Sequence, residues 1–392
     1  MNLNNFDFHL STKIHFGKGS IKSLGDEILQ YGKKVFFVYD AGPVKGCGLY
    51  EQAVKAFEEN GIQFTEFIGV EPNPRHTTVN RGIAALREFG ADCIVAAGGG
   101  STLDCAKAIS FGVHHDGDVW DFYCGKAEIK QTMPVIAIPT LAAAGAEVSW
   151  SAVISNLDEK RKIGLRNEKI RPACAILDPI YTFSVPKFHT ACGVVDIMSH
   201  SYETYFGPDT QTLLDGFSEA LQRACIESGR RAIADPYDYD ARAVLMWAAD
   251  LSIGQITSKG RNYLQSPIHT LEHILSAYYD IVHGAGIVIV SLAWFKYCLC
   301  EQTADVFARW GRNVWGLQSH GDEMQDAQAA ISAFEIFCKE IGLPTSMAEV
   351  HITKENIEEI SRAEFSKLRG AAAWFRPVTS SEDLFNLYAS VL

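Results

Sequence analysis

Two rhythms divide the chain. Up to about residue 183, short β-rich runs alternate with amphipathic stretches. The runs are VFFVYD (35–40), FTEFIGV (64–70), CIVAAGGG (93–100), PVIAIPT (134–140) and ACAILDP (173–179). Several are apolar without alternation, the mark of strands covered by helices on both faces. Between them, LYEQAVKAFEENG and NRGIAALREFG repeat apolar residues at intervals of three and four and close on glycine, which predicts helices. Strand–helix alternation predicts a parallel sheet with ligands at the carboxyl ends of its strands. Past residue 183 the strand signal fades. SEALQRACIESGRRAI, DARAVLMWAADLSIG, MQDAQAAISAFEIFCKEIG and KENIEEISRAE all carry helical periodicity. The expected architecture is an α/β domain with a parallel sheet (1–183) followed by an all-helical domain (184–392), with the active site in the cleft between them.

Composition narrows the function classes. With 392 residues, 47% of them hydrophobic, the chain has ample material for two cores. A formal charge of −12 and the lack of a basic patch argue against nucleic acid as a partner. The ten cysteines are scattered, with no CxxC pair, and most sit among apolar residues, which fits a reduced, cytoplasmic protein. The first seventeen residues contain no apolar signal core. The longest apolar run, GIVIVSLAWF (286–295), is far short of the ~20 residues of a membrane span, so no membrane association is expected.

The strongest local signal of the first half is CIVAAGGGSTLDCAKAI. An apolar strand runs into Gly98, Gly99 and Gly100, and a helix opens behind Ser101. Three glycines let backbone approach a ligand closely, and the helix start offers free N–H groups to a diphosphate. The simpler alternative is Ser101 as N-cap with Asp104 three residues on, a variant capping box. Asp40 ends the first apolar strand, where an acid can accept from a ribose 2′-hydroxyl and repel a 2′-phosphate, favouring NAD over NADP. It is equally readable as a turn residue before Ala41 and Gly42. The small residues of PTLAAAGAEVS (139–149) suit either a second close backbone approach or a tight strand-to-helix turn.

The second half carries the candidate metal chemistry. HTACGVVDIMSHSYETY places Asp196 and His200 four apart, on one face of a helix. SPIHTLEHILSAYYDIVHG repeats that spacing with His269 and His273 and adds His283. Three imidazoles and a carboxylate make a borderline donor set that suits Fe²⁺ or Zn²⁺ and leaves room for a substrate oxygen. Five candidate donors overfill such a set, and spacing alone does not choose the spare. Any one of these histidines taken singly is more often a satisfied core or surface residue.

Together these segments resemble the iron-containing (group III) alcohol dehydrogenases, particularly their butanol-dehydrogenase-like branch. The resemblance runs through KIHFGKGSIKSLG, VEPNP, GGGSTLDCAKAI, PTLAAAGAEVS, ILDP, VVDIMSHSYETY and HTLEHILSAYYDIVHGAG, essentially the whole chain. It implies a Rossmann-like dinucleotide-binding first domain and a metal held by Asp196, His200, His269 and His283. It assigns His273 to a proton relay beside the nicotinamide, a task suited to an imidazole pKa of about 6.5. Cofactor contacts are implied at Asp40, Asn73, Gly98, Gly99, Gly100, Ser101, Asp104, Thr140, Leu141, Ser149, Lys162 and Leu177. The turn departs from the family pattern, which reads like TTAGTGSE: here Leu141, Ala143, Ala144 and Ala146 replace other residues, with Ala144 and Ala146 at usual hydroxyl positions. A lost hydrogen bond to a charged group is worth ~1.5–3 kcal/mol, so weaker cofactor binding is expected.

The implied activity is reversible hydride transfer between NAD(H) and a small primary alcohol or aldehyde, with Fe²⁺ as the metal (Zn²⁺ the alternative) and NADP the alternative nucleotide. A homodimer or higher homo-oligomer is expected. Rival readings are a polyol dehydrogenase or a dehydroquinate-synthase-like lyase on the same scaffold, or a nucleotide-binding protein whose catalysis has decayed.

Overall fold

The computed structural model describes residues 3–207, 212–261, 266–368, 370–371 and 375–392. Its strands are β1 (Lys13–Phe16), β2 (Lys34–Tyr39), β3 (Gln63–Phe67), β4 (Cys93–Gly98), β5 (Val135–Pro139), β6 (Ser151–Asn156), β7 (Arg161–Arg166) and β8 (Cys174–Leu177). The helices of the first half are α1 (Leu24–Leu29), α2 (Ala41–Gly46), α3 (Leu49–Glu59), α4 (His76–Phe89), α5 (Gly100–Gly112) and α6 (Trp120–Tyr123). There follow α7 (Lys187–Tyr205), α8 (Thr212–Ala234), α9 (Tyr239–Ile253), α10 (Ile268–Tyr279), α11 (His283–Cys298), α12 (Ala304–Trp315), α13 (Glu323–Glu340), α14 (Lys354–Glu364) and α15 (Ser381–Ala389).

The chain forms two compact units. One comprises His9–Thr190 with Ala234–Gly254; the other comprises Ala191–Ile233 and Gln255–Leu392 with the N-terminal stretch to Phe8. The first is built on a parallel sheet in the order β1-β8-β5-β4-β2-β3. Phe36, Val38, Ile94, Ala96, Val135 and Ala137 enter one buried cluster, while Val35, Phe37, Tyr39, Val95, Ala97 and Ile136 enter another. Both faces of the central strands are therefore covered, which explains why those strands read as unbroken apolar runs.

The edges behave differently. β1 lies at one edge, paired with β8; of its KIHF the two end residues are exposed and the two middle ones half-buried. β6 and β7 form a separate antiparallel hairpin whose turn is held by Asn156 Oδ1, which accepts from the backbone N–H of Asp158 and Glu159. Helix α9 packs within the sheet unit: its Met246 contacts Ala175 and Leu177 of β8, and a Cβ on Gly145 would lie 2.7 Å from Ala249 O. Gly145 also has φ +57°, so the turn after β5 requires glycine there for two independent reasons.

The described residues of the second unit contain helices and no strand. Phe206, Phe295, Phe307, Trp310 and Phe334 interlock at ring-centroid distances between 4.8 and 6.1 Å and mark its core. The apolar run 286–295 forms α11, in which Ile287 to Phe295 are all fully buried. Among the described residues no helix is long and apolar enough to cross a membrane. All ten cysteines are unpaired.

Candidate metal centre and nucleotide loop

Helix α7 carries Asp196, His200 and Glu203 on one face, at intervals of four and three. All three are buried. Helix α10 brings His269 with Glu272 and His273 three and four residues on, and ends at Asp280, whose φ of +49° turns the chain back. His283 then opens α11. Two glycines permit its approach: a Cβ on Gly284 would lie 2.5 Å from Cys192 Cβ on α7 and 2.7 Å from its backbone, and one on Gly286 would lie 2.8 Å from Glu272 Oε1.

The outcome is a convergence of donor atoms. The Nε2 atoms of His269, His283 and His200 stand 3.4, 3.7 and 3.9 Å from Asp196 Oδ1. Among the described residues, Asp196 Oδ1 and His269 Nε2 are buried with no hydrogen-bond partner. A buried polar atom without a partner costs ~1–3 kcal/mol, so two of them aimed at one point call for an occupant. A divalent cation is the occupant this donor set fits. The ring of His273 lies outside that quartet, with its centroid 6.4 Å from that of His269 and 5.8 Å from that of His283.

The electrostatics agree. Burial alone would raise the Asp196 carboxyl, but His200, His269 and His283 hold it well below the usual carboxylate range. Burial lowers His200 to about 4, against the pull of Asp196. For His269 burial also opposes the charge, yet Glu203 and Asp196 outweigh it and raise the imidazole to about 10. The carboxylates of Glu203 and Asp196 thus favour positive charge at this point.

Glu203 and Glu272 did not emerge from the sequence. Glu203 Oε2 lies 2.6 Å from His269 Nδ1, and Glu272 Oε2 lies 2.5 Å from His283 Nδ1. The signal that would have found them is acids one or two helical turns from a candidate ligand on the same face: Glu203 is seven residues after Asp196, and Glu272 three after His269. A further cluster, His15, Glu27 and Cys174, also has donor atoms close together. There Glu27 already receives Lys13, His15 and Gln30, so a cation is in place.

In the sheet unit the carboxyl ends of four adjacent strands carry most of the expected nucleotide positions. Asp40 follows β2, Gly98 to Ser101 close β4 and open α5, Thr140 and Leu141 follow β5, and Leu177 ends β8. The backbone N–H of Asp40 donates to Ala97 O and that of Thr140 to Gly98 O, which ties these ends together. Burial raises the Asp40 carboxyl, with the N–H of Gly42 opposing. Asn73 precedes α4 with φ +54°, a left-handed conformation that asparagine tolerates. Ser149 lies just before the hairpin, where its Oγ accepts from Ser151 N, and Lys162 lies on β7.

The glycines separate by role. Gly98 has φ +152°, and a Cβ there would meet Thr102 Oγ1 at 2.8 Å. Gly99 sits at φ −77° and ψ 177°, open to any residue, and a Cβ there would meet nothing within 4 Å. The chain itself therefore gives no reason for glycine at 99, whereas a ligand lying against the backbone does. The N-cap of α5 is Gly99, not Ser101, and no side chain caps it, so the capping-box alternative is not what forms. Asp104 instead accepts from Val153 N at 3.0 Å and pairs at 2.8 Å with Lys107, which is fully buried.

The departures in the turn sort in the same way. Ala146 is 3% exposed and packs in the apolar core, so a hydroxyl there would have faced core rather than ligand. Ala144 lies at the loop, 3.4 Å from where a Cβ of Gly100 would stand. Of the two, Ala144 is the one that stands beside the glycine loop.

Residues 11–179 match the iron-containing alcohol dehydrogenase model, and residues 190–392 match the model of the C-terminal part of the Fe-containing alcohol dehydrogenase family. The chain belongs to the iron-containing alcohol dehydrogenase family. It is 41% identical to the NADH-dependent butanol dehydrogenase A of Clostridium acetobutylicum over 98% of both chains. Identity to the NADPH-dependent aldehyde reductase YqhD of Escherichia coli is 31%, over 91% of each chain. The crystal structure of the NADH-dependent butanol dehydrogenase A of Thermotoga maritima superposes with a TM-score of 0.94 at 34% identity, covering 100% of this chain and 99% of that one. This dehydrogenase family member has the expected fold class, a parallel-sheet α/β part and a helical part, although α9 of the second half belongs to the sheet unit.

Proposed function

We propose that the protein is an NAD(H)-dependent alcohol dehydrogenase acting as an aldehyde reductase on short unbranched substrates such as butanal. The observation that carries this reading is the convergence of three imidazole Nε2 atoms on Asp196 Oδ1. Asp196, His200, His269 and His283 would hold one divalent ion, Fe²⁺ by family, with Zn²⁺ acceptable to the same donors. When bound, the ion supplies Lewis-acid polarisation of the substrate oxygen and the nicotinamide supplies or accepts the hydride.

The chain's own residues do the rest. Gly99 and Gly100 leave backbone N–H groups at the start of α5 open to the diphosphate, where the helix dipole favours negative charge. Asp40 accepts from the ribose hydroxyls and repels a 2′-phosphate, so NADH is preferred. Asn73, Ser101, Asp104, Thr140, Leu141, Ser149, Lys162 and Leu177 complete the nucleotide site. His273, beside two of the ligand rings, carries the proton between the substrate oxygen and water. We place the enzyme in the cytoplasm as a homo-oligomer.

The test is consumption of reductant. Purified protein loaded with Fe²⁺ or Zn²⁺ is given butanal with NADH and, in parallel, NADPH. Stoichiometric NADH oxidation with butanol formed is expected, faster than with NADPH. Cofactor returned unchanged while a substrate is consumed would instead indicate a lyase.

A further inference from the structure

The three imidazoles of the centre are not equivalent. His269 is gripped twice by one carboxylate: Glu203 Oε1 accepts its backbone N–H at 3.0 Å and Oε2 meets its Nδ1 at 2.6 Å. That chelation fixes both the start of α10 and the ring it carries. His283 Nδ1 meets Glu272 Oε2, whose other oxygen accepts from Ser276 Oγ. Glu203 is 1% exposed and Glu272 0%, and these donors offset part of the cost of burying each carboxylate. Among the described residues His200 has no such partner, and its Nδ1 is buried with no hydrogen bond.

We propose that Glu203 and Glu272 are positioning residues for the metal, each fixing one imidazole in the tautomer that presents a bare Nε2. With Nδ1–H donated to a carboxylate, the proton is held on the far side of the ring and Nε2 keeps its lone pair for the ion. With Nδ1 taken up by Glu203, His269 Nε2 faces Asp196 Oδ1 at 3.4 Å, where the ion would lie. Carboxylate acceptance also makes the ring a better donor, so His269 and His283 are the stronger ligands and His200 the weaker. Together with Asp196 the two glutamates place three buried acids around a dipositive ion. The local charge is then formally −1 (2 − 3), which holds the ion tightly and tempers its acidity. The close approach that makes this work is built into the backbone, because a Cβ on Gly286 would lie 2.9 Å from Glu272 Cγ.

This inference rests on the metal reading above, and the experiment separates the two. Metal-free protein is titrated with Co²⁺ in competition with a chromophoric chelator, following the visible Co²⁺ absorption of the bound ion. Failure of the wild type to show saturable, site-bound Co²⁺ would overturn the metal reading itself. If the wild type binds, E203Q and E272Q are each expected to bind Co²⁺ about 10- to 100-fold more weakly. The band should persist, since glutamine still accepts the Nδ1 hydrogen bond, whereas E203A and E272A should shift or lose it. Thermal unfolding of metal-free E272Q should match wild type, because Ser276 Oγ can accept from the amide, whereas metal-free E203Q, whose NH2 must face one of the two N–H donors of His269, should melt lower while remaining folded. Wild-type Co²⁺ affinity in both glutamine variants, or a loss seen only where the metal-free protein is itself unfolded, would overturn the positioning role.

Discussion

Gly99→Ala separates a structural glycine from one kept for a ligand. At φ −77° and ψ 177° the position already lies in the region alanine prefers, and the added Cβ would point into space with nothing within 4 Å. Folding should therefore be unharmed, and loss of glycine's freedom in the unfolded chain should add about 0.4–1 kcal/mol of stability. Gly98→Ala is the contrast. There φ is +152° and the Cβ would collide with Thr102, so that variant should lose stability. If a diphosphate lies against the loop, the methyl added at position 99 stands where it must approach. Displacing it from one backbone N–H removes a charge-assisted hydrogen bond worth ~1.5–3 kcal/mol, or about ten- to a hundredfold in affinity. NADH binding by fluorescence titration, alongside thermal unfolding without ligand, reads both effects. A Gly99→Ala protein that melts no lower than wild type and binds NADH as tightly would refute the assignment of this loop to the nucleotide.

Other outcomes follow from the same geometry. Asp40→Ala should raise NADPH use relative to NADH by tenfold or more, measured as the ratio of kcat/KM values; an unchanged ratio would remove Asp40 from the ribose site. Gly284→Ala should cost about 1–3 kcal/mol, because its Cβ meets Cys192 backbone as well as side chain, and should lower bound metal by moving His283; undiminished metal by elemental analysis would count against that coupling. Glu147 and Asp250 are buried side by side in the sheet unit, with Lys107 and Asp104 also acting on Glu147, and burial raises both carboxyls above their ordinary values. Because their folded pKa values exceed the unfolded ones, ionisation disfavours the folded state, and stability falls as pH climbs from the ordinary carboxylate range through the raised values. Asp250→Asn should therefore gain on wild type in urea unfolding as pH goes from about 5 to about 8; a constant difference would contradict the shifts.

Legibility in the sequence followed burial. The central strands β2, β4, β5 and β8 are covered on both faces and could be read as apolar runs, and α14 begins and ends where its periodicity does. β1 could not be, since an edge strand only four residues long leaves no run to detect. The β6–β7 hairpin was hidden by Arg161, Lys162 and Arg166, charged positions that break any apolar alternation. The helical pairs Asp196/His200 and His269/His273 were visible from spacing, but which imidazole stands apart was not, because His283 reaches the centre through a reversal at Asp280 that the sequence does not announce. Glu203 and Glu272 were legible only as acids on a ligand-bearing helix face; that they are buried against histidines was not, because a surface acid and a buried acid look alike in a helix until the partner is placed opposite.

The central claim is that one divalent ion is held jointly by Asp196, His200, His269 and His283. Anomalous diffraction from a crystal of the Fe²⁺- or Zn²⁺-loaded protein tests it most directly. The account predicts one strong peak within bonding distance, ~2.0–2.3 Å, of Asp196 Oδ1 and the three Nε2 atoms. A fully loaded crystal with no peak there, or with its ion at His15, Glu27 and Cys174 instead, would contradict it.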